Sequence, residues 1–290
     1  MFTRDPVPFF TIPFTLDKKT KHILVKLRIN DSPALNFIVD TGCPYTLVVT
    51  SQLAKRVGIE PAAPEKASLK HGTLSQPLKL TFAEPIAQRD ADAIRYDIPM
   101  ALILSQSAIS SHMEENRLGG ILGLGCLHLF NVFISWKKKT ISFFPKETPY
   151  PVLESTVELP FKLDSSKDSF MRVSLQIPGL DAHLTNVVFD TGSVYTVLAK
   201  SLVRKELIEK RSSQWEIKRI TGTDLAQAGY YFKKEPVCLP SGKPIGQGVL
   251  CSLGDEILQG EPSVTALLGQ DVLIGHELFL NFQESKVFFL

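Results

Sequence analysis

The sequence has no apolar run long enough to cross a bilayer, almost no net charge and no clustered cysteines. Each absence removes a class of function. A spanning helix needs about 20 consecutive apolar residues, and no window supplies them. A formal charge of +2 over 290 residues gives no field suited to nucleic acid, and Lys137-Lys138-Lys139 and Lys18-Lys19 read as solvated hairpin turns. The four cysteines, Cys43, Cys126, Cys238 and Cys251, fall in no metal-binding spacing. Cys238 and Cys251 could bridge a hairpin, but buried, reduced thiols are the expectation. The six histidines form no His-Glu-x-x-His array. Gly123-Leu124-Gly125 lacks the third glycine and acidic partner of a dinucleotide fingerprint, and no serine sits in a nucleophile elbow. Neither a metal nor a cofactor is expected. In Met1-Phe2-Thr3-Arg4-Asp5-Pro6 an acid and a proline stand where a secretory signal needs unbroken apolar residues, so the expectation is a cytoplasmic protein that does not enter a membrane.

What is present is β-patterned. Residues 23–29 and 171–177 alternate apolar and polar positions with period two. Helical periodicity is confined to short pieces at 51–57 and 198–210. The length allows two domains, each with its own core. The proline-bearing stretch 145–151 is the boundary candidate, dividing the chain into residues 1–148 and 149–290.

The two parts repeat each other. Asp40-Thr41-Gly42 follows the apolar run Phe37-Ile38-Val39, and Asp190-Thr191-Gly192 follows Val187-Val188-Phe189. A glycine lies 30 residues beyond each triplet, at Gly72 and Gly222, between β-rich runs. Both read as hairpins, with glycine at the tip to relieve positive φ. Ile121-Leu122-Gly123 and Leu267-Leu268-Gly269 correspond, as do Phe133-Ile134-Ser135-Trp136 and Phe279-Leu280-Asn281-Phe282, both at an offset of 146 residues. Repetition on this scale indicates duplicated lobes, since a solenoid repeats at a much shorter period.

Paired carboxylates in such settings can share one proton, so that one serves as general acid while the other serves as general base. The residues are similar to those of aspartic proteases. The closer likeness is to the retroviral type, whose triplet is followed by an alanine and, three residues further on, a threonine. Cys43 and Ser193 replace that alanine, while Thr46 and Thr196 keep the threonine. Retroviral enzymes assemble the site from two subunits and pepsin-like enzymes carry both lobes in one chain; this sequence resembles the second arrangement built from units of the first kind.

The resemblance implies an all-β, bilobal acid-protease fold with pseudo-twofold-related, barrel-like lobes, a central cleft and a sheet shared between the lobes. That sheet is expected to be formed by residues 8–12, 140–144, 156–161 and 286–290. It implies an aspartic endopeptidase with Asp40 and Asp190 catalytic. Loop support would come from Thr41, Gly42, Cys43, Thr191, Gly192 and Ser193, with each threonine hydroxyl reaching across to the opposite loop. His71, Gly72, Thr221, Gly222 and Thr223 would form flaps over a peptide or protein substrate held extended. The first flap lacks a pepsin-like tyrosine, and Tyr230 and Tyr231 lie beyond Gly222, so paired-flap closure is expected. Tyr45 and Tyr195 read as packing residues behind the loops.

Ser193 is a candidate donor to the Asp190 carboxylate, a role Cys43 could fill only weakly. That asymmetry suggests a working range from weakly acidic to neutral pH. A monomer is expected, because one chain holds both aspartates. The competing possibility is a catalytically silent, bilobal peptide-binding or scaffolding protein. Retention of both aspartates, threonines and glycines argues against it.

Overall fold

A computed structural model of the protein describes residues 7–18, 20–62, 68–69, 72–88, 94–104, 113, 117–148, 157–163, 170–220, 227–255, 257 and 263–290. Residues 149–151 of the boundary stretch 145–151 lie outside them, as do His71, Thr221, Gly222 and Thr223. Among the described residues the architecture is overwhelmingly β, with one sheet of fourteen strands and a second of ten. No helix there is long and apolar enough to cross a membrane. Two of the short helices, Ser51–Arg56 and Lys205–Lys210, fall within the helical patterns of the sequence. Leu124–Leu127 and Gln270–Leu273 are single turns too brief to leave a periodic signal.

The two halves are built alike. In the first, the strand Leu35–Asp40 lies antiparallel to Ile23–Ile29 and parallel to Leu118–Gly123, with Leu122 opposite Val39 and Gly123 opposite Asp40. In the second, Ala182–Phe189 lies antiparallel to Met171–Ile177 and parallel to Ala266–Leu268, with Leu268 opposite Phe189. Each apolar pair that precedes a repeated glycine therefore runs beside the strand that ends at an aspartate.

The shared sheet contains more than the four terminal and linker segments. Phe10–Pro13 pairs with Thr140–Phe144, and Val157–Leu163 pairs with Lys286–Phe289. Asn131–Ser135 and Glu277–Asn281 lie between these two pairs and join them. Phe133 stands opposite Phe279, and Val132 opposite Leu280. Equivalent positions of the two repeats thus face each other, as a local twofold axis between the strands requires. The sequence expectation missed these two central strands because repetition reveals equivalence but not which copies meet. A short strand, Ala87–Gln88, extends the other edge of Phe10–Pro13.

Alternation places one face of the shared sheet in the main core, including Ile134, Ile141, Phe143, Leu278, Leu280 and Phe289. The other face gathers Phe133, Phe144, Phe279 and Phe288. Phe143 is fully buried and stacks on Phe10 at 4.5 Å, with Phe82 at 5.0 Å and Phe130 at 5.3 Å. These rings tie the shared sheet to the first lobe. All four cysteines are free and buried. Cys238 and Cys251 lie on the two strands of one hairpin, but Cys238 faces Pro244 and Cys251 faces Tyr230, which leaves them out of register for a bridge.

Truncating Phe143 to Ala should cost about 3–5 kcal/mol through lost burial and the cavity left behind. Ile217→Ala, at a side chain 66% exposed, should stay within about 0.5 kcal/mol. Denaturant unfolding of both variants measures this, and equal losses would contradict the placement of the aromatic core.

Candidate active site

Each aspartate-bearing loop starts where an apolar strand ends. Asp40 closes the strand Leu35–Asp40, and Asp190 follows Ala182–Phe189 directly. Asp190 is 6% exposed, while Asp40 is half-buried. The Gly42 N–H donates to Asp40 Oδ1 at 2.7 Å, and the Gly192 N–H donates to Asp190 Oδ1 at 2.7 Å. The two carboxyls meet across the lobes, each lying against the glycine of the opposite loop and each acting on the other's titration.

The threonines hold this arrangement together. Thr41 Oγ1 donates to the Phe189 carbonyl at 2.8 Å and accepts from the Thr191 N–H at 3.0 Å. In mirror fashion, Thr191 Oγ1 donates to the Val39 carbonyl at 3.0 Å and accepts from the Thr41 N–H at 3.0 Å. All four bonds are buried. The glycines allow the approach: a Cβ on Gly42 would lie 2.4 Å from Asp190 Cγ, and one on Gly192 would lie 2.3 Å from Asp40 Cγ. Any side chain at either position would push the carboxyls apart.

Burial raises both acid pKa values. Asp190 goes well above the carboxylate range, first through desolvation and then through the charge of Asp40, against the N–H groups of Gly192 and Ser193. Asp40 is also raised by burial. The hydrogen bond from Asp190, the Gly42 N–H, His22 and the Cys43 N–H pull it back. Both carboxyls are therefore raised, and the pair titrates as a unit.

Two expectations need correction. The Ser193 hydroxyl donates to the Tyr195 carbonyl at 2.7 Å, and it is the Ser193 N–H that reaches Asp190 Oδ1, at 3.0 Å. Because each carboxylate accepts from the backbone of its own loop, the Ser/Cys difference supplies no asymmetry of the kind inferred from sequence. Burial, rather than a missing hydroxyl donor, is what raises the two carboxyls. Gly72 is not at a hairpin tip. It lies in the strand Gly72–Leu74, opposite Leu69, and a Cβ there would meet the Ile103 carbonyl oxygen at 2.1 Å. Close backbone approach, not positive φ, explains that glycine. In the second lobe Glu216–Ile220 and Gln227–Cys238 pair as a hairpin. Tyr195 packs against Tyr231 at 5.1 Å, and Tyr45 packs on the outer apolar cluster of the first lobe.

Sequence reasoning gave no role to the side chains behind the second loop. Gln270 Nε2 donates to the Thr191 carbonyl. Asp271 Oδ1 accepts from the Thr196 N–H at 2.8 Å and from its hydroxyl at 2.9 Å. The equivalent first-lobe positions are Leu124 and Gly125, and there backbone bonds tie the loop, such as the Leu124 N–H to the Cys43 carbonyl at 2.7 Å. Polar residues directly after a repeated glycine, in one copy only, were the available signal.

Residues 25–123 match the aspartyl protease family model. The fold as a whole is similar to gamma conglutin, described as a unique basic 7S globulin from lupine seeds, with a TM-score of 0.57 at 13% identity over 98% of this chain and 95% of that one. The chain has the bilobal aspartic protease fold. The basic 7S globulin from soybean superposes with a TM-score of 0.54 at 14% identity, covering 98% and 96% of the two chains. A third structure, described as edgp, gives 0.51 at 12% identity over 99% and 95%. At such identities the likeness is one of fold. A search of curated proteins finds no match. Within the aspartic protease fold, the matched segment contains Asp40 and its supporting strand Leu118–Gly123 but stops before the second triplet.

Asp271 carries a consequence for stability. Burial lifts its pKa from 3.8 to about 7, against the two bonds from Thr196. The native state then binds a proton more tightly than the unfolded chain, so stability falls as pH rises from about 4 to about 7. The dyad contributes with the same sign. Asp271→Asn, which keeps the acceptor oxygen, should make this fall shallower but not abolish it. Urea midpoints measured from pH 4 to pH 8 test the prediction, and an unchanged slope would refute it.

Proposed function

We propose that the protein is an aspartic endopeptidase that hydrolyses peptide bonds by the Asp40/Asp190 pair without a covalent intermediate. The observation that carries this reading is the pair itself: a buried and a half-buried carboxyl brought face to face by loops cross-tied through Thr41 and Thr191. Burying two acids face to face opposes stability unless they share a proton. A purely structural cleft has no need of that cost.

In the proposed reaction, ionised Asp40 removes a proton from a water lying between the carboxyls as that water attacks the scissile carbonyl carbon. Asp190 delivers its proton to the carbonyl oxygen. As the tetrahedral diol collapses, the proton gained by Asp40 passes to the leaving nitrogen, the C–N bond breaks and Asp190 recovers a proton from the diol. Both acids return to their starting states. The paired strands Ser68–Leu69 with Gly72–Leu74 and Glu216–Ile220 with Gln227–Cys238 support flaps over a peptide or protein substrate lying extended and bound through its main chain. One chain carries both aspartates, which supports action as a monomer. Four free, buried cysteines support a reducing location such as the cytoplasm.

The descriptions of the structural neighbours as globulins favour a second reading, a bilobal binding protein that does not turn over peptides. Incubating a mixed peptide library with the parent protein and with Asp40→Asn between pH 4 and pH 7 separates the two. Cleavage by the parent, reduced about a thousandfold or more in the variant, is expected. No product from either would support the binding reading, and equal product from both would remove the pair from the mechanism.

A further inference from the structure

His22 lies outside the duplicated motifs, yet it contacts the opposite catalytic loop. Its Nε2 is 2.8 Å from the Gly192 carbonyl oxygen, a contact across 170 residues of sequence. A carbonyl can only accept, so Nε2 carries hydrogen: the ring is either the Nε2–H tautomer or the imidazolium. The ring is half-buried and its backbone is held by a closed turn. The Asp17 N–H donates to the His22 carbonyl at 2.9 Å, and the Asp17 carboxylate caps the turn through the Thr20 N–H and hydroxyl at 2.7 and 2.9 Å.

The two lobes differ at this position. Leu24 pairs with Ile38, two residues before Asp40, and Arg172 pairs with Val188, two residues before Asp190. Two residues upstream of that register, His22 is therefore matched by Phe170. Phe170 is buried in an apolar cluster with Val188 and Val197, and the Arg172 guanidinium lies 5.4 Å over its ring. One loop thus has an imidazole from the opposite lobe against its glycine carbonyl, while the equivalent position in the other lobe carries a phenyl ring. Of the charged groups, Asp17 and Lys21 share the turn that holds the imidazole, and Asp40 is the acid on which its charge acts.

We infer that His22 is a positioning residue of the pair: it anchors the second loop to the first lobe and, when protonated, keeps the negative charge on Asp40 and the shared proton on Asp190. A cation favours the ionised form of the nearer acid, and the charge of His22 acts on Asp40 in that direction. The hydrogen bond to Gly192 fixes the ring where this effect operates. Its catalytic consequence rests on the proposed protease reading. The charge assignment itself does not.

The experiment titrates the carboxyl carbons of Asp-labelled protein by NMR, in the parent and in His22→Gln, which keeps a donor and loses the charge. The lower of the pair's two titration steps should move to higher pH in His22→Gln, and His22→Arg should move it back toward the parent position. If the parent cleaves peptides, the acid limb of its kcat/KM profile should move the same way. Should His22→Gln fail to fold, the reciprocal variant serves: Asp40→Asn should move the imidazole titration of His22 to lower pH. Steps that coincide in folded parent and His22→Gln, or a His22 titration unaffected by Asp40→Asn, would overturn the inference. A shifted titration in a protein that cleaves nothing would retain the inference while rejecting the protease reading. Cleavage with unshifted steps would do the reverse.

Discussion

The structure depends on the crossed hydrogen bonds of Thr41 and Thr191. Each hydroxyl donates to a carbonyl of the opposite lobe and accepts an N–H from the opposite loop, so that two hydroxyls bond four buried backbone groups. Each bond contributes only about 1 kcal/mol net, but losing one would leave a buried group unsatisfied at a cost of about 1–3 kcal/mol. This makes separation of the lobes at that level costly. The contact of the two acids follows, because Gly42 and Gly192 leave no side chain between them.

Around this symmetric junction the lobes are dressed differently. Gln270 and Asp271 pin the second loop from behind, where Leu124 and Gly125 leave the first with backbone ties. His22 approaches one loop, while its counterpart Phe170 packs in the apolar cluster of the other lobe. The proposed acid–base roles require such asymmetry, since one member gives a proton while the other takes one. Duplication supplies two equal carboxyls, and the surroundings then make them unequal. The second lobe also holds an ion pair with a buried acid, Glu235 with Arg211; Glu235 accepts the Gly179 N–H at 2.8 Å and Arg211 donates to the Gly179 carbonyl at 2.8 Å.

Much of the architecture was legible because it repeats. Period-two alternation marked Ile23–Ile29 and Met171–Ile177 as strands, and the two triplets in register located the acids. The readings that failed concerned contacts between segments. The central strands Asn131–Ser135 and Glu277–Asn281 were recognised as equivalent but not as partners. Gly72 was assigned to a turn because its packing against the Ile103 carbonyl has no trace in the local sequence. The Ser193 hydroxyl was aimed at Asp190 because composition does not reveal that the Tyr195 carbonyl lies closer in the loop.

By itself the sequence determined the strand-rich class, the duplication and the identity of the two acids, since these depend on local alternation and on residue types recurring at equal spacing. Only the tertiary structure decided which acid is the more strongly buried, which side chains brace each loop, and that His22 meets Gly192 across 170 residues. Desolvation and hydrogen bonding between distant segments are set by where the chain returns in space, and a linear pattern carries no record of that distance.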